Sequence, residues 1–357
     1  MDMSETNFHG KNPGFVKEAL DFFGVSRTLE WFGELGLVCK EEDGRIYPAC
    51  GQASAVLDVL RLGAARRGVR VLTGQAVKTI DKIGECFQIY CERGEALAAR
   101  KVIISTGGLA SPFSSREAGG GPEIMKRFGH HVREPFPALV QIKSESPFMK
   151  ALKGVRADGR IALEAGGLRA ERTGEIQFTG FGVSGIPAMD LSGFLYDGSG
   201  KLRKNAALCV DFAPAVEIRE LAVFLSERKK RLAAPDMEIY MTGLFHKALG
   251  AALVKAAGIG IRLPAESLAE ESIMQLAGTI KNFRIPVSGT KGFRDAQVMG
   301  GGLDTDEFDP AAMESRIVPG LYACGEILDI YGDCGGYNLQ WAWSSGHLAG
   351  FSAAGTR

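Results

Sequence analysis

The stretch that most constrains this chain lies near its C-terminus. It reads Ile317-Val318-Pro319-Gly320-Leu321-Tyr322-Ala323-Cys324-Gly325-Glu326 and continues through Gly335-Gly336-Tyr337-Asn338-Leu339-Gln340-Trp341 to Gly346. The apolar run 321–324 predicts a strand that stops at a glycine–acid pair. After a loop, a second glycine pair opens a helix running to about residue 354. Glycine at a strand end lets another molecule come close to the backbone. A helix behind Gly-Gly presents N–H groups and the positive end of its dipole. Together they predict a receptor for something flat and electron-rich. Lys101-Val102-Ile103-Ile104-Ser105-Thr106-Gly107-Gly108 has the same form, a buried parallel strand running into glycine at a ligand-binding edge.

The remaining periodicities frame these two runs. Helical spacing is predicted over 15–23, 27–35 and 53–66, a hairpin over 37–47 around Asp43-Gly44, and strands over 69–73, 77–80 and 87–91. A polar, glycine-rich loop is expected at 114–121. Beyond Pro135-Phe136-Pro137 come short alternating strands at 139–143, 160–164, 167–171, 175–179 and 207–212, which suggest a small β-barrel or sandwich. Helices follow over 216–232, 241–257 and 267–276, and strands return at 282–286 and 296–299. The pattern predicts an α/β domain in two sequence pieces with an inserted unit between them.

Composition narrows the function. Lys plus Arg and Asp plus Glu both number 42, so the formal charge is zero, which argues against nucleic-acid and acidic-membrane partners. No apolar run approaches the roughly 18 residues of a membrane span, and the polar start Met1-Asp2-Met3-Ser4-Glu5 is unlike a signal peptide. Seven scattered cysteines without C-x-x-C point to reduced thiols in a cytoplasmic protein. The five histidines show no metal-ligand spacing, so no metal site is expected. The 47 glycines fit the many tight strand–loop–helix junctions of nucleotide-binding proteins.

Single motifs are weaker. Gly180-Phe181-Gly182-Val183-Ser184-Gly185 matches G-x-G-x-x-G, but no long helical pattern follows, so it reads as a strand-end turn. No phosphate-binding G-x-x-x-x-G-K-[ST] exists. Trp341 and Trp343 read as core aromatics, and Tyr337 fits either stacking on a ring or packing. Cys324 and Cys334, ten apart, make a poor redox pair.

Taken in order, these segments resemble the BaiN/YhiN-type flavoproteins. The resemblance rests on residues 318–329 and 335–346, with His9-Gly10-Lys11-Asn12-Pro13, residues 102–112, 178–187 and Met313-Glu314-Ser315. It implies a two-dinucleotide-binding-type, Rossmann-like FAD domain in pieces 1–136 and 285–357, with an inserted β-barrel and helical domain at 137–284. It also implies an oxidoreductase in which FAD carries hydride to or from a small organic substrate. NADH, NADPH and oxygen are open as redox partner. Such proteins begin with a βαβ unit bearing G-x-G-x-x-G, a ribose-binding acid and a Cys-Asn segment; none is found here, so the resemblance implies an N-terminally truncated flavin domain. By the same resemblance Val77 meets the adenine, and Thr106, Gly107 and Gly108 lie beside the ADP portion. Gly325 and Glu326 approach the ribityl chain and phosphate, and Gly336, Tyr337, Asn338 and Leu339 line the isoalloxazine. No general acid or base stands out.

Two other readings stay open. One is a non-catalytic remnant that no longer holds FAD, since missing strands leave open sheet edges. The other is an α/β module for a different nucleotide. Substrate and oligomeric state are not legible.

Overall fold

The computed structural model describes residues 3–110 and 120–355. The chain divides into two compact units, one of residues 1–135 and 298–357, the other of 136–297. The loop expected at 114–121 falls, up to residue 119, outside the described residues.

In the first unit, Val102–Ile104 and Leu321–Ala323 form a parallel pair with Ile104 opposite Ala323. Both expected strands form, and their pairing is added by the structure. Only Ile104 of the first strand is buried, and Ile103 is exposed. The helix Tyr337–Ala354 packs on this pair and buries Trp341, Leu348 and Ala349 with Phe15, Leu321, Tyr322 and Ala323. Its start requires glycine: Gly336 has φ +104°, a backbone region that favours residues without a Cβ.

The hairpin Cys39–Glu42/Arg45–Pro48 turns at Asp43 and Gly44, both with positive φ, as the Asp-Gly signal requires. The helices Val25–Glu34 and Ser54–Arg66 match the sequence pattern within two residues. Val77–Ile83, Cys86–Cys91 and Leu97–Ala99 make an antiparallel three-stranded sheet. The strand expected at 69–73 does not form. Val69, Val71 and Leu72 are exposed and have no strand partner among the described residues. Phe8–His9 pairs with Tyr331–Gly332.

The second unit is organised on one antiparallel sheet, in the order Phe283–Pro286, Ala207–Asp211, Arg156–Ala165, Leu168–Thr179, Gly182–Ser184, Ile142–Lys143, Gly289–Thr290. Helices Ile218–Leu232, Lys247–Ala256 and Glu270–Lys281 bury Leu225, Leu253 and Leu276 in a common core with Ile161, Phe178, Leu208 and Phe283.

The expected β-barrel is corrected here, because no closed barrel exists among the described residues. The outermost strands, Phe283–Pro286 and Gly289–Thr290, are paired only on their inner sides. Two residues join these opposite edges, and three Cα–Cα steps span at most about 11 Å. The sheet therefore curls strongly while its hydrogen-bond ladder stays open.

The same strands place the second passage between units at 297/298 rather than 284/285. Residues 283–290 pair within this sheet and belong with it. The G-x-G-x-x-G match is the turn between Leu168–Thr179 and Gly182–Ser184, followed by a seven-residue helix, Ile186–Ser192.

Candidate functional site

The parallel register brings the two glycine runs to one edge. Thr106–Gly108 leave the sheet after Ile104, and Gly325–Glu326 leave it after Ala323. The Glu326 carboxylate closes the gap. Its Oε1 accepts the Met299 N–H at 2.6 Å, and the carboxylate also accepts the Gly108 N–H. Burial pushes this carboxyl up, and the two N–H donors oppose that shift. Glu326 thus clamps the Val298–Leu303 strand to the loop after Ile104. Thr106 is seated over the helix Gly121–Arg127. A Cβ at Gly121 would lie 2.2 Å from the Thr106 Oγ1, so only glycine fits there.

The long helix is tied to the same edge. Ser345 Oγ accepts the Gly325 N–H at 2.9 Å and donates to the Trp341 carbonyl at 2.6 Å, while Trp341 Nε1 donates to the Gly325 carbonyl at 3.2 Å. Gly325 has φ +74°, and a Cβ there would meet nothing closer than Ala342 at 4.0 Å. Gly325 itself is buried, with both backbone groups engaged.

The helix N-terminus has no side-chain cap. Gly336 accepts the Gln340 N–H, the first bond of the helix ladder. Leu339 beside them is 59% exposed. Asn338 holds the preceding loop. Its Oδ1 accepts the Gly332 N–H at 2.7 Å and its Nδ2 donates to the Gly332 carbonyl at 2.9 Å, which fixes the preceding loop. Tyr337 packs edge-on against Phe8 at 6.0 Å. Val77 begins the three-stranded sheet opposite Cys91. A cavity of about 550 Å³ opens farther along the helix, lined by Phe23, Trp31, Trp343 and His347.

A polar network that sequence reasoning did not single out surrounds the Phe8–His9 and Tyr331–Gly332 strands. His9 Nε2 lies 2.7 Å from Asp333 Oδ1. The Lys11 N–H donates to Asp329 Oδ2 at 3.1 Å, and Lys11 Nζ pairs with Asp304 and Asp306. Arg133 Nε is 3.3 Å from Asp329. Burial pushes the Asp329 carboxyl up, against the Lys11 N–H, the Arg133 charge and the Gly301 N–H. His9-Gly10-Lys11 is the only sequence signal for this cluster, because its partners lie about 300 residues away.

The cysteines at this edge are not a redox pair in the structure. Cys324 is buried, its thiol is pushed up to about 11 by burial, and neither it nor Cys334 forms a disulfide.

Known proteins give a consistent answer. The family model described as HI0933-like protein Rossmann domain matches residues 2–352. The chain is 37% identical to the 3-dehydro-bile acid delta(4,6)-reductase of Clostridium scindens, over 99% of this chain and 86% of that protein. It is 29% identical to the ribosomal RNA dihydrouridine synthase of Escherichia coli, over 94% of this chain and 80% of the relative. The corresponding Haemophilus influenzae enzyme is 24% identical, over 99% and 85%. The chain belongs to the HI0933-like Rossmann-domain family, which contains the BaiN/YhiN-type flavoproteins, and it is an oxidoreductase.

Proposed function

We propose that this protein is an FAD-dependent reductase that saturates a carbon–carbon double bond conjugated to a carbonyl, with NAD(P)H as electron donor. One observation carries the cofactor reading. Thr106–Gly108, Gly325 and the Tyr337–Ala354 helix are fastened to one sheet edge by Glu326, Ser345 and Trp341. The fit is chemical. First-turn N–H groups and the helix dipole favour the electron-rich, polar side of a flavin ring. The exposed Leu339 offers an apolar contact beside them. The residues that would hold FAD are Val77, Thr106, Gly107, Gly108, Gly325, Glu326, Gly336, Tyr337, Asn338 and Leu339. Glu326 and Asn338 would act by shaping backbone, since their polar atoms are engaged by the protein. When bound, FAD supplies two-electron hydride chemistry.

The relatives' activities support the substrate class. A 3-dehydro delta(4,6) acid and a uridine share an alkene conjugated to a carbonyl. The higher identity, 37% against 29%, favours a small-molecule enone. We also place the protein in the cytoplasm. No helix among the described residues is long and apolar enough to cross a membrane.

A second reading, an RNA uridine as substrate, has its own observation. Zero net charge hides an asymmetry, for residues 136–297 hold 22 Lys and Arg against 17 Asp and Glu. Lys143, Lys153 and Lys291 gather near Phe181, with Lys291 Nζ 4.6 Å from the ring centroid. Cationic side chains around an aromatic suit a nucleotide strand.

Purified protein given FAD, then NADPH without oxygen, tests both readings. The expected result is a bound-flavin spectrum that bleaches with NADPH and recovers on adding a steroidal dienone. Recovery with rRNA alone would select the second reading. A protein that takes up no FAD would sink both and leave the non-catalytic remnant.

A further inference from the structure

The first unit holds a further cavity, and we propose that it binds a small monocarboxylate with an apolar body through Arg316 and Thr305. The cavity has a volume of about 620 Å³. It opens between residues 12–18 and residues 305–316, all within the first unit. None of its lining residues is among those proposed to hold FAD, so the inference stands apart from the reductase reading.

Arg316 is anchored without being used up. Its backbone N–H donates to the Glu307 carbonyl at 2.8 Å, and its Nε donates to the Phe308 carbonyl at 3.0 Å. Among the described residues its two Nη atoms have no hydrogen-bond or ion-pair partner. A guanidinium steadied by one nitrogen and free at the others is preorganised for an anion. Thr305 lines the same cavity and is 1% exposed. Its Oγ1 nevertheless has no hydrogen-bond partner among the described residues. Buried hydroxyls are nearly always paired, and a bound molecule that accepts this one accounts for the exception.

The remaining lining selects among anions. Lys17 is paired with Asp21, and Lys11 Nζ lies 2.7 Å from Asp306, so Arg316 is the cation left to the cavity among the described lining residues. Glu18 and Asp306 also line it. Two acidic neighbours repel a doubly charged phosphate more than a singly charged carboxylate, and the planar guanidinium fork matches a carboxylate bidentately. Phe15, Phe308 and Pro310 supply apolar contact, which suits the hydrocarbon body attached to that carboxylate.

Saturation-transfer NMR on the purified full chain, with sodium benzoate as the probe, tests this. Wild type should bind benzoate with a dissociation constant below about 10 mM, whether or not FAD is added, and an equal concentration of inorganic phosphate should not displace it. Arg316→Gln should weaken binding roughly tenfold or more. Thr305→Val keeps the shape of the side chain and should weaken it about three- to tenfold. Because Arg316→Gln also removes the bond to the Phe308 carbonyl, the exposed Glu18→Gln serves as a variant of opposite sign. It should tighten binding about two- to fivefold at low salt. No benzoate binding by folded wild type, displacement by phosphate, or an affinity left within twofold by both Arg316→Gln and Glu18→Gln would overturn the assignment.

Discussion

Replacing His130 by glutamine probes the most completely determined polar contact in the first unit. Ser315 Oγ accepts the N–H groups of Ile317 at 3.0 Å and Val318 at 2.8 Å, so its own hydrogen goes to His130 Nε2 at 2.9 Å. His130 Nδ1 must then carry the proton given to Glu307 Oε2 at 2.8 Å. The side chain is fully buried, and Phe308 stacks on the ring at 4.8 Å. Burial holds the His130 pKa below the ordinary histidine value, although Glu307 acts in the opposite direction. Glu307 and the neighbouring His131 are the titratable groups that act on it. Burial would raise the Glu307 carboxyl, but hydrogen bonds from His131 and His130 outweigh it and hold the group low.

Two buried hydrogen bonds at about 1–3 kcal/mol each, less than additive, put the cost of His130→Gln at about 2–4 kcal/mol at pH 8. The pH dependence has a fixed sign. The folded state resists protonation of His130 and the unfolded chain does not. This group's stabilisation is therefore complete above about pH 6.5 and lost as pH falls toward the folded-state value. Between those limits the gap between wild type and variant narrows by about 1.4 kcal/mol per pH unit. Urea denaturation from pH 8 to pH 5, followed by tryptophan fluorescence, measures this. All three tryptophans, Trp31, Trp341 and Trp343, belong to the first unit, so the signal reports on the part that contains His130. A gap that stays constant over this range would refute the neutral, Nδ1-protonated histidine.

Other consequences can be checked alongside. Gly301 has φ +78°, and a Cβ there would lie 2.5 Å from the Glu134 carbonyl oxygen, so Gly301→Ala should cost about 2–4 kcal/mol in the same denaturation assay. Glu326→Ala leaves the Met299 and Gly108 N–H groups without their acceptor. It should lower stability by about 2–3 kcal/mol and weaken FAD uptake measured by fluorescence titration. With an aromatic disulfide reagent at pH 8, the exposed Cys50 should react in native protein, and Cys324 only after unfolding.

Legibility from sequence followed the range of the interaction. The helices and the Asp43-Gly44 hairpin were readable because capping, periodicity and turn chemistry act over a few residues. The strands Val102–Ile104 and Leu321–Ala323 were legible as two apolar runs that each end on glycine, but their pairing was not. Val69–Thr73 carries the same kind of apolar signal and forms no strand. Propensity describes a residue's fit to a sheet, but a strand exists only where an edge pairs with it. Strand count likewise said nothing about closure. The open ladder of the second unit depends on Phe283–Pro286 and Gly289–Thr290 choosing partners far apart in the chain.

The candidate site divides along the same line. Its backbone parts, the glycine ends and the helix start, were visible locally. Its polar side chains were not, because each pairing joins residues far apart: His9 with Asp333 is separated by 324 positions and His130 with Ser315 by 185. A lone histidine in such a sequence looks the same whether it is destined for a buried hydrogen-bond pair or a partly exposed pair with a carboxylate. What separates the two is exposure and partner chemistry. His130 is fully covered, and its Nε2 is occupied by the Ser315 hydroxyl. His9 is partly exposed and faces the Asp333 carboxylate. The acid sensitivity of this protein is therefore to be sought at His130.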